Sequence, residues 1–279
     1  MSSLNIEDIE SFIQDIFGNP KINLSKFNDF IDPAFWAILK SKLLLEPTFK
    51  IIPCPKNSRS YKYFLKLVGK LSSDTTMPLE GFNSVNRDDS DGFAENFVNL
   101  MNIDDKEDKQ FIQYIIRELL TNTIDHAESK TDIVCCGQLF PRKNEIEIII
   151  IDAGIGFKET ISRKYKETKS DEEAISKAIE AGITGTVQEI VNYGVVKNAG
   201  YGLYVVSKMV KDYKGSMLII SKNGFLKQNT NGSKVLKTLE ANWDGSIVLV
   251  KLPFHNQNNL NINDFLKKIR ECAPEDDIF

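Results

Sequence analysis

The sequence predicts an α+β protein in which a small N-terminal α/β unit precedes a larger domain built from a β-sheet and helices. Two observations support this prediction. In several separate segments, apolar residues recur every three or four positions, as they do along one face of a helix. Between these segments lie short apolar runs of strand length, which are bounded by glycine, proline or other turn residues.

The first 71 residues supply the small N-terminal α/β unit. Three segments have the apolar spacing of helices and two have the pattern of strands: residues 4–17, 33–45 and 61–68, and residues 22–24 and 49–52. The polar, irregular stretch 72–91 predicts a linker. Residues 92–279 would then form the second domain.

The second domain combines helical segments with two pairs of strands. The predicted helices are residues 93–101, 106–127, 157–166, 171–181, 201–213 and 262–272. The predicted strands are residues 132–139, 145–151, 216–221 and 246–252. The turn-like stretch 141–144 joins the first two strands into a hairpin, whereas the polar stretch 227–244 separates the last two.

The bulk composition is that of an ordinary globular protein, with 42% hydrophobic and 27% charged residues. No apolar run approaches the roughly 18 residues of a membrane span, and the acidic N-terminus lacks a signal-peptide core. We therefore expect a cytoplasmic protein with no membrane partner. The net charge of -4 gives no basic field of the kind that attracts nucleic acid, and no DNA-reading element is visible, so nucleic acid is not indicated, although charge alone does not exclude it.

Cysteine and histidine usage limits the kinds of metal site. The four cysteines lack the Cys-x-x-Cys spacing of zinc and redox sites, and we expect them to be reduced and buried. The only two histidines, His126 and His255, are too isolated for a histidine-based metal site. Any metal must therefore be bound by oxygen.

A polar stripe marks the segment predicted as the longest helix. Glu118, Asn122 and Asp125 are separated by four and three residues, and at about 100° per residue they fall within roughly 60° of one another. One helix face therefore presents a carboxylate, a carboxamide and a second carboxylate. Taken alone, such a stripe is more often a solvated helix face.

The second pattern is a buried β run that ends at Asp152 and is followed by Gly154 and Gly156. Glycines at alternate positions allow a flat base to approach the backbone, and a carboxylate at Asp152 can accept a hydrogen bond from an adenine amino group. An ordinary transition from strand to turn has the same short pattern.

The third pattern is the segment 182–202, which holds five of the sixteen glycines and ends at Gly200 and Gly202, where a helix starts. Backbone N–H groups at a helix N-terminus, next to glycines, can bind phosphate oxygens. The segment is not a Walker loop, because no Gly-Lys-Ser/Thr follows, nor a Rossmann fingerprint, because no strand immediately precedes it. A plain surface loop is the alternative.

Taken together and in this order, the three patterns resemble the N, G1 and G2 boxes of the GHKL ATPases: Glu-x-x-x-Asn-x-x-Asp, Asp-x-Gly-x-Gly-Phe and Gly-x-Gly-Leu. This superfamily includes gyrase, the heat-shock chaperone ATPases, histidine kinases and MutL. The resemblance covers about residues 97–254. It implies a Bergerat-type two-layer α/β sandwich, in which a mixed β-sheet is covered on one face by helices, with ATP and Mg²⁺ as ligands.

The resemblance also implies roles for individual residues. Asn122 would bind Mg²⁺ through its side-chain oxygen, Asp152 would contact adenine, and Asp125 would orient water or ribose-side groups near the metal. The other implied cofactor-binding residues are Gly154, Gly156, Thr184, Gly200, Gly202, Leu203 and Ser246. Among these, Gly154 and Gly156 would shape the base pocket, and Gly200 and Gly202 would hold phosphates. Ser246 stands where the family usually has threonine, and its hydroxyl can still donate.

The segment between the second and third boxes would form a mobile lid over the nucleotide. It covers residues 182–198, and Thr184 or Lys197 would reach the nucleotide from it.

Glu118 separates the functional classes within the resemblance. In the hydrolases of the superfamily a glutamate at this position is the general base, whereas histidine kinases usually have asparagine. A histidine kinase also needs a phosphoacceptor histidine upstream, and no histidine precedes His126. We therefore favour a slow, Mg²⁺-dependent ATPase with Glu118 as its catalytic residue, in which closure of the lid regulates partner binding.

Two alternatives remain open at the level of sequence. The stretch from Arg117 to Ala127 resembles the anti-sigma-factor branch of serine/threonine kinases, whose partners are small STAS-domain proteins, and the N-terminal unit itself resembles a STAS-like half-domain. A small α/β docking module explains the same N-terminal pattern. The other alternative is a non-catalytic switch in which ATP gates an interaction surface. Each interpretation implies a protein partner that the sequence does not identify, and a homodimer is compatible with all of them.

Overall fold

The computed structural model describes residues 3–82, 88–103, 105–183, 190–191, 195–196, 202–254 and 261–271. The N-terminal unit contains β1 (Ser3–Leu4), a 3₁₀ turn (Ile6–Asp8), α1 (Ile9–Gly18), β2 (Lys21–Asn23), β3 (Phe30–Ile31), α2 (Pro33–Leu45), β4 (Lys50–Ile52) and α3 (Arg59–Leu67).

The rest of the chain contributes the main sheet and the helices that pack on it. Its elements are β5 (Thr76–Phe82), α4 (Asp88–Leu100), α5 (Lys106–His126), β6 (Ile133–Phe140), a 3₁₀ turn (Pro141–Lys143), β7 (Glu145–Asp152), α6 (Phe157–Ser162), α7 (Asp171–Ala178), β8 (Ile190–Val191), β9 (Val195–Val196), α8 (Gly202–Asp212), β10 (Ser216–Gln228), β11 (Lys234–Pro253) and α9 (Ile262–Glu271).

The main sheet has five strands in the order β10-β11-β7-β6-β5. The α+β class is confirmed, but the mixed pairing that we expected is not found in this sheet, where every neighbouring pair is antiparallel. Two of the four pairs have a local reason, because β6–β7 and β10–β11 are connected by short turns, and such turns join only antiparallel strands. Asn144 makes the first turn possible by adopting a left-handed conformation, with φ of 50°.

Both faces of the main sheet are covered, whereas the sequence predicted helices on one face only. In β7, Ile148 and Ile150 pack into a core with the central helices, while Ile149 and Ile151 pack into a second core with the N-terminal unit. Successive side chains of a strand point to opposite faces. The unbroken run of isoleucines in β7 is therefore the pattern of a strand buried on both sides.

The N-terminal unit covers the second face mainly through α2. Asp32 caps this helix by accepting a hydrogen bond from the backbone N–H of Ala34 at 3.2 Å, and Pro33 occupies the first helical position, where no N–H is needed. Phe35 and Ile38 are completely buried. The domain division that we placed at residues 72–91 stays a prediction. Apolar residues of the unit and of the main sheet nevertheless form one common core.

Two stretches that were expected to be irregular form strands instead. Residues 76–82, within the predicted linker, form the edge strand β5, which pairs with β6. Most of the polar stretch 227–244 belongs to a β-ribbon that extends β10 and β11 beyond the sheet, with its turn at residues 229–233. Leu239, Ala241 and Trp243 are buried while the residues between them are more exposed, so the missed signal was alternation with a period of two.

The helix that carries the polar stripe, α5, has 21 residues. Asp105 caps it by accepting from the N–H of Asp108 at 2.9 Å, and one face, including Phe111, Ile115 and Leu119, is buried against the sheet. In the part of the chain that the structure describes, no helix combines the length and the apolar character that crossing a membrane requires.

Gly137 shows how closely the helices approach the sheet. A Cβ atom added at this position in β6 would lie 1.9 Å from Cε2 of Phe97, which is completely buried in α4. We expect Gly137→Ala to lower the free energy of unfolding by about 1–3 kcal/mol, because Phe97 must leave its packed position. Urea denaturation measures this change.

The matched control is Gly92→Ala in the same helix, α4. Nothing lies within 4 Å of the added methyl group, and glycine is a poor residue inside a helix, so we expect this variant to be unchanged or more stable by up to about 1 kcal/mol. Equal stability of the two variants would contradict the packing of Phe97 against β6.

Candidate nucleotide site

The first part of the site is Asp152, the last residue of β7. Its cross-strand partner in β11 is Ser246, so the sheet brings together two residues that are far apart in sequence. The Ser246 hydroxyl donates a short hydrogen bond to Oδ2 of Asp152, and the N–H groups of Gly154 and Ser246 donate to Oδ1 at 2.8 and 3.3 Å. The structure therefore places Ser246 where it holds the Asp152 carboxylate in position.

The surroundings of the Asp152 carboxyl affect its pKa and its capacity to accept a further hydrogen bond. Burial raises the pKa of this carboxyl, and the hydrogen bonds from Ser246 and Gly154, together with the Lys222 ammonium, lower it, with a net increase. A carboxylate has about four lone-pair sites, and the contacts above use three of them. One site is left to accept from an amino group such as that of adenine.

The loop after β7 lies against the end of α5. The N–H of Ile155 donates to the carbonyl of Ala127 at 2.8 Å, and a Cβ on Gly154 would lie 2.0 Å from the same oxygen. Only glycine permits this approach. Gly156 has a φ of 81° and precedes α6, a conformation that L-residues with side chains rarely adopt.

Because the loop after β7 contacts the end of α5 at Ala127, the distances of the polar residues of α5 from that loop follow from their positions along the helix. At a rise of about 1.5 Å per residue, Asn122 lies about 7 Å and Glu118 about 13 Å along the helix axis from Ala127. A nucleotide with its base at Asp152 and its phosphates directed along α5 would pass Asn122 before it reaches Glu118.

The N-terminus of α8 approaches α5 at these same two residues. A Cβ on Gly202, the first residue of α8, would lie 2.6 Å from Oε2 of Glu118 and 3.0 Å from Nδ2 of Asn122. The first backbone N–H groups of a helix have no partner within the helix and favour anions. The structure thus brings a helix N-terminus, a carboxylate and a carboxamide to one place.

Glu118 has a raised pKa, and Asn122 has an unpartnered buried polar atom, both of which are common in ligand-binding sites. Burial raises the pKa of the Glu118 carboxyl and Asp125 raises it further, while a hydrogen bond from Tyr114 and the charge of Arg117 lower it, and the net direction is upward. Nδ2 of Asn122 is buried and has no hydrogen-bond partner within the described residues, which is costly unless a ligand supplies one.

The remaining predicted residues fall into two groups. Leu203 is 8% exposed, and its side chain packs in the core beneath α8. Thr184, Lys197 and Gly200 lie outside the described residues. The roles of all the predicted site residues stay predictions, whereas their placement is an observation.

Several residues that support the site were not predicted. The indole N–H of Trp243 donates to the backbone carbonyl of Asp152 at 3.1 Å. Nζ of Lys222 donates to the carbonyl of Gly154 at 3.2 Å, and the hydroxyl of Ser221 accepts from the N–H of Phe157 at 2.9 Å. All of these contacts come from β10 and β11. The one feature of the sequence that pointed to them was the position of one of the two tryptophans near Ser246.

Comparison with known proteins agrees with this geometry. Residues 107–255, more than half of the chain, match the family described as histidine kinase-, DNA gyrase B- and HSP90-like ATPases. No curated protein matches the chain significantly. The matched region runs from the first turn of α5 to just past β11 and therefore includes every described residue of the site. The chain belongs to the histidine kinase-, DNA gyrase B- and HSP90-like family of ATPases and carries its ATP-binding domain.

Proposed function

We propose that this protein binds ATP together with Mg²⁺ and hydrolyses it slowly, with Glu118 as the general base, and that closure of the segment 182–198 over the nucleotide regulates binding of a protein partner. The observation that carries the proposal is the contact of Gly202 with Glu118 and Asn122. It puts the N-terminal end of α8, which would bind the phosphates, beside a partly buried carboxylate. The lid role rests on the glycine content of that segment and on its place between the second and third boxes.

Asp152 would select adenine and Asn122 would hold the metal. The described residues contain no group of three or more His, Cys, Asp or Glu side chains that could hold a metal ion, so an ion here would take its other ligands from phosphates and water, as Mg²⁺ favours. The Asn122 carboxamide fits this arrangement, because Oδ1 can face the ion while the orphaned Nδ2 donates to a phosphate oxygen. When bound, the ion would neutralise charge on the phosphates.

Glu118 suits the role of a general base. A base works best when its pKa lies near the operating pH, and burial moves the pKa of Glu118 in that direction. Tyr114, one helical turn earlier, donates a hydrogen bond that orients the carboxylate. Asp125 adds negative charge nearby, which makes Glu118 a better proton acceptor once it is ionised.

The same pocket would serve the two alternatives, which differ in the fate of the γ-phosphate. A serine/threonine kinase of the anti-sigma-factor type would transfer it to a partner hydroxyl, and a switch would retain it. Radiolabelled ATP distinguishes the three functions, since hydrolysis releases inorganic phosphate, a kinase labels a partner serine, and a switch gives neither product.

Asp152→Asn tests the adenine contact. The substitution replaces an acceptor by an amide whose N–H groups face another donor, so we expect ATP affinity to fall roughly ten- to a hundredfold. Isothermal titration calorimetry measures it, with Asp15→Asn, an exposed change on α1, as the control of equal charge. If Asp152→Asn binds ATP as tightly as the parent, the pocket is wrongly placed.

Gly202→Ala tests the phosphate end. The added methyl group would lie 2.6 Å from Oε2 of Glu118 and would displace side chains that the phosphates need, so we expect ATP affinity to fall about tenfold or more. Stability should change little, because the Glu118 side chain can move. Gly18→Ala at the end of α1, where nothing lies within 4 Å, is the control. Unchanged affinity in Gly202→Ala would place the phosphates elsewhere.

Glu118→Gln tests the general base. We expect phosphate release to fall about 10²- to 10⁴-fold while ATP still binds, because glutamine cannot accept the proton. Glu95→Gln, exposed on α4, should retain activity. Retention of full turnover by Glu118→Gln would rule out Glu118 as the base.

The pH profile of the parent belongs to the same test. The base must be ionised, and its pKa is raised by burial, so turnover should decline as the pH falls through that raised pKa and should level off above it. This acidic limb should be absent from any residual activity of Glu118→Gln.

A further inference from the structure

A second pocket lies on the side of α8 that faces away from Glu118. It is a cavity of about 310 Å³ between the end of α7, α8 and the tip of the β10–β11 ribbon. Three lysines line it, Lys208 and Lys211 from α8 and Lys234 from β11. Its volume is at the lower end of the range for small-molecule sites, about 300–1,000 Å³.

The lysine pocket is separate from the nucleotide site. Lys208 and Lys211 follow Gly202 by six and nine residues, which at about 100° per residue turns them roughly 120° and 180° away from the side of α8 that meets α5. A ligand that fills the nucleotide site therefore does not reach these ammonium groups around the helix.

The three lysines share the pocket with one carboxylate, that of Glu180. Among the described residues, none of them forms an ion pair within 4 Å, although Lys208 lies over the ring of Tyr204 at 5.3 Å. Partial burial lowers the pKa of Lys234, the charges of Lys208 and Lys211 lower it further, and only Glu180 at the edge of the pocket opposes them. In a chain with four more acidic than basic residues, a cluster of three lysines with a single carboxylate beside it needs an explanation.

The pocket also contains a fixed polar pair. The Ser207 hydroxyl donates to Oε1 of Gln228 at 2.7 Å, and Nε2 of Gln228 donates to the Ser207 carbonyl at 2.8 Å. Gln228 is 1% exposed. The stem of Lys211 runs over the backbone of Gly232, where a Cβ would lie 2.8 Å from its Cε, so the stem of this exposed lysine contacts the ribbon.

We propose that the lysine pocket binds a small phosphorylated molecule with two or more negative charges, at a site separate from the one that binds ATP. Lysine binds phosphoryl oxygens as a compact point charge. One phosphoryl group carries about 1.5–2 negative charges and three acceptor oxygens, whereas one carboxylate carries a single charge, so a phosphorylated ligand engages several ammonium groups in a small cavity more readily. Three ammonium groups and the Glu180 carboxylate give the lining a net charge of +2, which the ligand must at least balance.

Calorimetric titration of the full chain with inorganic pyrophosphate tests the proposal. The titration is made with the nucleotide site saturated by a non-hydrolysable ATP analogue and Mg²⁺, and pyrophosphate should still bind. The double variant Lys211→Gln/Lys234→Gln should weaken this binding about tenfold or more, since two charge-assisted contacts are lost. Both side chains are at the surface, and circular dichroism checks that the variant is folded.

Lys227→Gln is the matched control. Lys227 is exposed and precedes Gln228 on β10, so it points to the opposite face of the ribbon, and its loss changes the net charge by one. It should leave pyrophosphate affinity unchanged, and citrate, a carboxylate of similar charge, should bind more weakly than pyrophosphate.

Three results would overturn the proposal. Pyrophosphate that fails to bind, or that is displaced by the ATP analogue, would remove the separate site. An equal loss in Lys227→Gln would reduce the effect to nonspecific charge. Citrate that binds as tightly as pyrophosphate would remove the preference for phosphate. Each result leaves the proposal for Glu118 and Asp152 unaffected, because neither residue contacts this pocket.

Discussion

The close approach of α8 to α5 at Gly202 is the constraint on which the proposed phosphate end of the site depends. A side chain at this position would overlap the ends of the Glu118 and Asn122 side chains, so these two side chains keep their positions only with glycine there. Apolar residues on the inner faces of both helices, such as Leu119 and Val206, join the same core. The packing of that core holds the N-terminus of α8 next to the Glu118 carboxylate, which is partly buried and has therefore lost part of its hydration.

Much of this arrangement could be predicted from local sequence patterns. Residues 33–45 were predicted to be helical and form α2 with the same bounds, because Asp32 and Pro33 are strong start signals. The three polar and glycine-rich motifs also gave the correct family. Motifs of this kind can be recognised because each is a short continuous stretch of sequence, so that no pairing between distant segments is needed to find it.

The rest could not be predicted because it depends on pairing between distant segments. The indole of Trp243 reaches the backbone of Asp152 across 91 positions of sequence, and nothing in either segment alone predicts that contact. The β-ribbon was missed because its polar residues resemble a loop when they are counted by composition. The second covered face of the sheet was missed because an isoleucine run such as that of β7 fits both a strand in a one-sided sandwich and a strand buried on both faces.

The covered second face bears on what the N-terminal unit does. Ile149 and Ile151 in β7 and Leu249 in β11 are buried against the unit, and these strands end at Asp152 and Ser246, which face each other across the sheet. Glu147 and Lys251 also pair across these strands at 2.8 Å, on the face that the unit covers. Separation of the unit would expose this apolar surface to water, which is costly, whereas rehydration of the charge pair would work in the opposite direction. The unit is therefore tied to the strands that position Asp152, the proposed adenine acceptor, and a partner that bound to the unit would act on the same sheet as the proposed nucleotide site.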